Sequence, residues 1–177
     1  MALKRVFIAV NLPRELKKKI IRELLSHLPK NSITINPAEK MHLTLKFFGE
    51  IPGSQLTEIL EKMQTIAKQT KKFEIQLNEI GHFNGKVIWL GAKDSESQLK
   101  KIHDCFESEN HQPFHAHLTL ARNKKILLKQ FLELAEKLKK KNFHAHFLFE
   151  HFELVESRFN GKEHQYSVIQ SFKLDQP

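Results

Sequence analysis

The sequence predicts an α+β fold in which two lobes, each a small antiparallel sheet backed by helices, share one chain. Strand patterns alternate with amphipathic helical patterns along its length. Two Asn-Gly pairs, Asn84-Gly85 and Asn160-Gly161, are typical of hairpin turns, which favour antiparallel pairing over a doubly wound parallel sheet. The tetrapeptide His-Leu-Thr-Leu occurs once in each half of the chain, at His42–Leu45 and His117–Leu120, which indicates an internal duplication.

Strands are predicted where β-branched and aromatic residues concentrate or alternate with polar ones. They are Leu3–Asn11, Ser32–Asn36, Met41–Gly49, Phe73–Ile80, Lys86–Gly91, Phe114–Arg122, one long strand at Phe143–Ser157 that can contain a kink or bulge, and Gln165–Leu174. Apolar residues at helical spacing, with Pro13 and Ser54 suited to helix starts, predict four helices. They are Arg14–Leu28, Ser54–Thr70, Ser95–Glu107 and Lys125–Lys140. No linker interrupts the pattern, so residues 1–177 are interpreted as a single bilobal domain.

Composition is that of a soluble globular protein, with 40% hydrophobic and 28% charged residues among 177. One cysteine, Cys105, excludes an intrachain disulfide and offers no cysteine-based metal site. We find no signal-peptide pattern and no apolar run near the roughly 20 residues of a membrane span. The expectation is a cytoplasmic monomer. A net charge of +9 points to a polyanionic partner, although lysine runs are also common at solvated helix ends.

The strand Met41–Gly49 has one apolar and one polar face, because side chains on a strand alternate. Met41, Leu43, Leu45 and Phe47 are expected to face a core, and His42, Thr44, Lys46 and Phe48 the opposite side. His117 and Thr119 repeat the polar pair on a second strand. The two strands can therefore form the floor of a cleft.

Two histidines facing each other across a cleft form a general acid–base pair. Imidazole titrates near 6.5, so one ring can accept a proton while the other donates one. A phosphodiester suits this pair, and the hydroxyls of Thr44 and Thr119 can donate to its non-bridging oxygens without a metal. The residues alone leave open that both histidines are structural.

With its flanking residues, the repeated motif resembles that of the two-histidine (2H) phosphoesterases, in particular the RNA 2′,3′-cyclic phosphodiesterases, also called 2′-5′ RNA ligases. The resemblance covers nearly the whole chain. The matching segments are Arg5–Val10, Met41–Glu50, Val87–Gly91, Phe114–Arg122, and the closing residues Glu156, Ser157, Gly161 and Tyr166.

This resemblance implies lobes related by a pseudo-twofold axis, with helices outside and the active-site cleft between them. It implies opening of a 2′,3′-cyclic phosphate, at an RNA end or on a nucleoside, to a 2′-phosphate. His117 matches the general base and His42 the general acid, while Thr44, Thr119 and Arg122 match phosphate-binding residues. The same chemistry, reversed, implies ATP-independent 2′-5′ ligation. No cofactor and no metal are implied.

Arg122 can reach the cleft only if the strand departs from regular geometry, and Phe48 has two possible roles. Arg122 has the parity of Leu118 and Leu120, so the strand must end or bulge after Leu120, or the side chain must reach around the strand end. Phe48 has the cleft parity and can stack on a base, although a packing role is equally open.

Two other classes of function remain as alternatives. Histidine-ligated metallohydrolases would use a site drawn from His111, His115, His117, His144 and His146, but neither a cysteine cluster nor a nearby carboxylate completes the ligand set. A non-catalytic RNA-binding module would need only the sheet and the basic charge.

Overall fold

A computed structural model describes residues 3–106 and 113–174, which fold into an α+β structure as predicted. Its strands are β1 (Leu3–Asn11), β2 (Ile33–Ile35), β3 (His42–Pro52), β4 (Phe73–Phe83), β5 (Val87–Lys93), β6 (His117–Asn123), β7 (Ala145–Phe149), β8 (His151–Phe159) and β9 (His164–Lys173). Its α-helices are α1 (Arg14–Glu23), α2 (Ser54–Gln69), α3 (Gln98–Asp104) and α4 (Leu128–Lys139). Short 3₁₀ turns follow α1 and precede β3. The predicted helix end at Glu107 lies outside the described residues.

All the strands join one curled antiparallel sheet in the order β7-β4-β5-β6-β3-β1-β8-β9, with β2 added to β6. The two predicted lobes are the halves of this sheet. They meet where β3 pairs with β6 through a single residue pair, Leu43 with Leu118. The repeated motif therefore lies at the centre of the sheet, one copy on each side of the junction.

The main core fills the space between the helices and one face of the sheet. Leu43, Leu45, Leu118 and Leu120 of the two motifs are all almost fully buried in this core. Each such side chain contributes about 1.5–3 kcal/mol by leaving water. A smaller cluster of Phe7, Ala9 and Val155 lies apart from this core. Apolar packing thus fixes the leucine face of each motif and leaves its histidine and threonine on the opposite, cleft face.

The prediction of one strand over Phe143–Ser157 is wrong. This segment forms β7 and β8, separated at Glu150, because the chain changes its pairing partner there from β4 to β1. Glu150 is exposed; its carbonyl oxygen accepts a hydrogen bond from the Leu174 backbone and its carboxylate accepts one from Lys72 Nζ. The segment therefore carries the chain from one half-sheet to the other.

Both predicted hairpins are present. Asn84 and Gly85 have φ angles of 48° and 63°, the left-handed conformation that a two-residue type I′ turn requires. The second hairpin closes through Asn160, whose side-chain oxygen accepts hydrogen bonds from the backbone of Lys162 and Glu163. Within the described ranges, no helix is long and apolar enough to span a membrane.

Candidate active site

A cavity of about 400 Å³ opens on the cleft face where the two half-sheets meet. Both predicted pairs, His42 with Thr44 and His117 with Thr119, line it. Strand alternation explains the placement, because the leucines between them are buried on the helix side. The structure thus brings together residues from the two halves of the chain.

Each motif histidine is oriented by the backbone two residues before it. In His117, Nδ1 lies 2.7 Å from the carbonyl oxygen of His115, so Nδ1–H donates and Nε2 of the neutral ring carries the lone pair. His42 makes the equivalent hydrogen bond to the backbone of Lys40. The two rings are therefore held in matching ways on the two sides of the cavity.

Aromatic side chains cover both histidines. Phe7 stacks on His42 with ring centroids 5.0 Å apart, and Tyr166 meets the same ring edge-on at 5.6 Å. Phe83 meets His117 edge-on at 4.9 Å, with Trp89 behind it. These contacts restrict ring rotation and remove water from around the imidazoles.

Burial lowers the pKa of both histidines. It brings the pKa of His42 down to about 4, with smaller contributions in the same direction from the charges of Lys17 and His117. Burial also lowers the pKa of His117, as do the nearby charges of His115 and Arg122. Both rings are therefore neutral in the free protein at neutral pH, and an anion in the cavity favours protonation of either.

β3 contains two β-bulges, and they determine whether Phe47 or Phe48 enters the cavity. Leu45 and Phe48 have no partner in the β1–β3 register, so the side-chain alternation shifts after each. Phe47 consequently lines the cavity and is 49% exposed, while Phe48 packs against the core and meets Phe106 edge-on at 5.9 Å. Assigning Phe48 to the cleft was therefore wrong, because regular alternation does not continue past Leu45.

An equivalent bulge in β6 turns Arg122 into the cavity. The β5–β6 register pairs Trp89 with Thr119 and Ile88 with Ala121, which leaves Leu120 as the extra residue. Arg122 thereby shares the face of Thr119 and lines the cavity. Phe47 and Arg122 occupy matching positions in the two halves, each three residues after its motif threonine.

The bulges at Leu45 and Leu120 are held by different donors. The Leu120 carbonyl oxygen accepts a hydrogen bond of 2.9 Å from the Asn36 backbone N–H, which extends β2 along β6. The Leu45 carbonyl oxygen lies 2.7 Å from Nδ1 of His103, a buried side chain of α3. No sequence signal distinguished His103 from the other histidines.

Sequence reasoning also missed part of the cavity wall. Arg5, Lys40, Ser157, His164 and Tyr166 all line it. Ser157 and Tyr166 belonged to the matched closing hairpin but had no role assigned. The pairing within the hairpin could have placed them on one face, because Ser157 and Tyr166 are directly opposite each other across β8 and β9.

The histidines considered as metal ligands are only partly brought together. His115 and His117 have ring centroids 5.9 Å apart. His144 directly precedes β7 and His146 lies on β7, which is an edge strand at the far end of the sheet. In the described part of the chain, no group of three or more His, Cys, Asp or Glu is placed to hold a metal ion. His111 lies outside it.

A family model for the 2′-5′ RNA ligase superfamily matches residues 12–160. The chain belongs to this superfamily. The family resemblance inferred from the two motifs and their flanks is therefore confirmed.

The chain is also similar to curated relatives in sequence and to solved structures in fold. The RNA 2′,3′-cyclic phosphodiesterase of Escherichia coli K12 is 29% identical over 67% of this chain and 72% of its own length. The protein of that name from Methanocaldococcus jannaschii is 28% identical over 95% of this chain and 99% of its own. Crystallised apo E. coli LigT superposes with a TM-score of 0.80 at 22% identity, covering 99% of this chain and 100% of LigT, which shows a shared fold.

Proposed function

We propose that this protein is a metal-independent RNA 2′,3′-cyclic phosphodiesterase, which opens a 2′,3′-cyclic phosphate to a 2′-phosphomonoester. The observation that carries the proposal is that His42 and His117, each hydrogen-bonded to the backbone two residues earlier, line one cavity together with Thr44 and Thr119. An acid, a base and two hydroxyl donors are the groups that this hydrolysis needs.

The histidines act on opposite sides of the phosphorus atom. Nε2 of His117 takes a proton from water as the water oxygen bonds to phosphorus. The bond from phosphorus to the 3′-oxygen breaks in line, and protonated His42 gives its proton to that oxygen. The product keeps the phosphate on the 2′-oxygen, and the pair ends with His42 neutral and His117 protonated by the proton from water. The anionic substrate supplies the field that raises the pKa of His42 for this role.

The phosphate is bound by other side chains that line the cavity with the two histidines. The hydroxyls of Thr44 and Thr119 donate to the non-bridging oxygens, and the Arg122 guanidinium offsets the negative charge from the β6 side. Arg5 and Lys40 add positive charge to the same wall. Phe47, exposed beside the cavity, is the aromatic surface available to the terminal base.

Ligation follows from the same chemistry with a different nucleophile. A 5′-hydroxyl RNA end in place of water attacks the cyclic phosphate through the same base and acid, which gives a 2′-5′ linkage without ATP. We propose hydrolysis as the main activity because water is the nucleophile in excess.

Product analysis tests the proposal. The protein is incubated in EDTA with a nucleoside 2′,3′-cyclic phosphate or a cyclic-ended oligonucleotide, and the 2′-phosphate product is measured. His42→Ala and His117→Ala should each abolish turnover and keep the wild-type circular dichroism. His144→Ala, on a distant exposed histidine, is the matched control. Activity lost in EDTA would favour a metallohydrolase, tight binding without turnover an RNA-binding module, and near-normal rates in either alanine variant would contradict the acid–base assignment.

A further inference from the structure

A second groove, of about 620 Å³, adjoins the catalytic cavity over β1, β8 and β9. Arg5, Ser157 and His164 line both spaces, so the two share a wall. Strand alternation accounts for this, because Arg5 lies two residues before Phe7 on the cleft face of β1, and Phe159 lies two residues after Ser157 on the cleft face of β8. A continuous row of side chains therefore leads from His42 out towards the tip of the β8–β9 hairpin.

Reaction geometry, as proposed above, decides which side of the cavity holds the RNA chain. The attacking water and the departing 3′-oxygen lie on opposite sides of the phosphorus. His42 serves the 3′-oxygen, so the ribose lies on the His42 side, beside Phe7 and Tyr166. The chain that continues from the 5′-oxygen of that ribose consequently leaves the cavity on the same side, where the second groove begins.

The shared wall has the chemistry to bind a phosphodiester. The Arg5 guanidinium lies over the Phe47 ring at 4.9 Å and makes no ion pair within the described residues. A hydrogen bond of 3.0 Å joins Ser157 Oγ and His164 Nδ1 and orients the imidazole. The Glu156 carboxylate nearby accepts hydrogen bonds from Nε and Nη2 of Arg158, at 2.8 and 3.0 Å, so its charge is offset.

An exposed aromatic ring stands at the outer end of the groove. Phe159 is 62% exposed and its ring centroid lies 5.3 Å from that of His164. Exposed aromatic rings beside a basic groove are the usual stacking surfaces for single-stranded RNA. We infer that this groove binds the penultimate nucleotide of the substrate: Arg5 and His164 contact the phosphate joining the last two nucleotides, and Phe159 stacks on the preceding base. The inference rests on the proposed function and makes oligonucleotides its preferred substrates.

Two substrates with the same terminal nucleoside test this subsite: a nucleoside 2′,3′-cyclic phosphate and the dinucleotide ending in it. The wild-type protein should turn over the dinucleotide with a kcat/KM about tenfold higher, the order of one base–aromatic stack. Phe159→Ala should remove that advantage through KM and leave mononucleotide turnover unchanged. Phe159→Trp should keep or enlarge it. Leu148→Ala, an exposed apolar residue on the opposite edge strand, is the control and should change neither value.

The outcomes separate the subsite from the reaction. If wild type shows no dinucleotide preference, or if Phe159→Ala alters both substrates equally or neither, the inference is wrong while the proposed function stands. If neither substrate is turned over, the proposed function fails, and binding of the 2′-phosphorylated mononucleotide and dinucleotide then decides the subsite. Equal wild-type affinities for the two would overturn it, and a dinucleotide preference lost in Phe159→Ala would support it.

Discussion

The imidazole of His103 donates a hydrogen bond from Nδ1 to the carbonyl oxygen of Leu45 at 2.7 Å, and so holds the bulge that turns Phe47 into the cavity. Phe114, three residues before the second motif histidine, stacks on the same imidazole with ring centroids 4.3 Å apart. One buried side chain of α3 therefore contacts the chain near both motifs.

Replacing His103 should weaken both the fold and the site. His103→Leu leaves the buried Leu45 carbonyl without its donor, at a cost of about 2 kcal/mol in the free energy of unfolding. The variant should also raise KM, because the position of Phe47 depends on the bulge. His103→Asn keeps a donor near the Nδ1 position and should recover part of both losses. Urea denaturation and steady-state kinetics measure the effects; equal values for the two variants would show that the hydrogen bond is unimportant.

Phe47 and Phe48 should respond to substitution in opposite ways. Phe47→Ala removes an exposed ring from the cavity, so KM should rise several-fold while the free energy of unfolding changes by less than about 0.5 kcal/mol. Phe48→Ala removes packing against Phe106 and should cost about 2–3 kcal/mol with little change in KM. Denaturation curves and steady-state kinetics are measured for both variants, and each variant is the control for the other. Reversed effects would mean that the bulge after Leu45 is absent.

The pH dependence of kcat/KM should place its alkaline limb below the ordinary histidine value. Burial lowers the pKa of His42 to about 4 and also lowers that of His117, so the pair loses its last shared proton below pH 6.5 in the free protein. Bound phosphate raises the pKa of His42, so the alkaline limb of kcat should lie at higher pH. Profiles of kcat/KM and of kcat against pH, across the acid and neutral range, measure the two alkaline limbs. Alkaline limbs at the same pH would contradict the effect of the substrate anion.

His42 should also make stability pH-dependent. The folded-state pKa is near 4 and the ordinary value is 6.5, so the unfolded chain takes up a proton first as the pH falls. Stability is complete above pH 6.5 and declines between pH 6.5 and 4, with a loss of about 2 kcal/mol at pH 5. His42→Asn lacks the titrating group and should lose less. Urea denaturation midpoints of the wild type and of His42→Asn, at each end of this pH range, test the prediction. Equal losses in both proteins would show that His42 titrates normally.

Gly81 should not tolerate alanine. A Cβ at this position of β4 would overlap the Trp89 indole, which packs beside His115 and His117. Gly81→Ala should therefore destabilise the fold by about 1–3 kcal/mol and lower kcat by shifting the ring behind His117. Gly53→Ala is the control, because no atom lies within 4 Å of its added methyl group. Wild-type melting and kinetics for Gly81→Ala would mean that the indole moves freely.

The sequence predicts those features that depend on local periodicity. The two motifs, the buried leucines and the Asn84-Gly85 turn follow from alternation and turn chemistry alone. Placement of His42 and His117 in one cavity needs the additional inference of duplication, which the repeated tetrapeptide supplies.

Features that depend on tertiary pairing were not predictable in the same way. A bulge reverses the parity of every following residue, so Phe47 and Phe48 exchange faces although the local sequence reads as a regular strand. The break at Glu150 reflects a change of strand partner, which no local pattern records. His103 owes its role to a carbonyl on another element, and its position in a helical pattern gives no sign of that contact.

Within the described residues, a single backbone ladder pair, Leu43 with Leu118, joins the two half-sheets beside the cavity. Every other pair in the sheet order is linked by several residues, so this junction has the fewest backbone hydrogen bonds to lose. The two half-sheets are therefore joined mainly by the apolar core that they share on the helix side. A change in the angle between the half-sheets would alter the separation of His42 and His117 without breaking the strand pairing within either half.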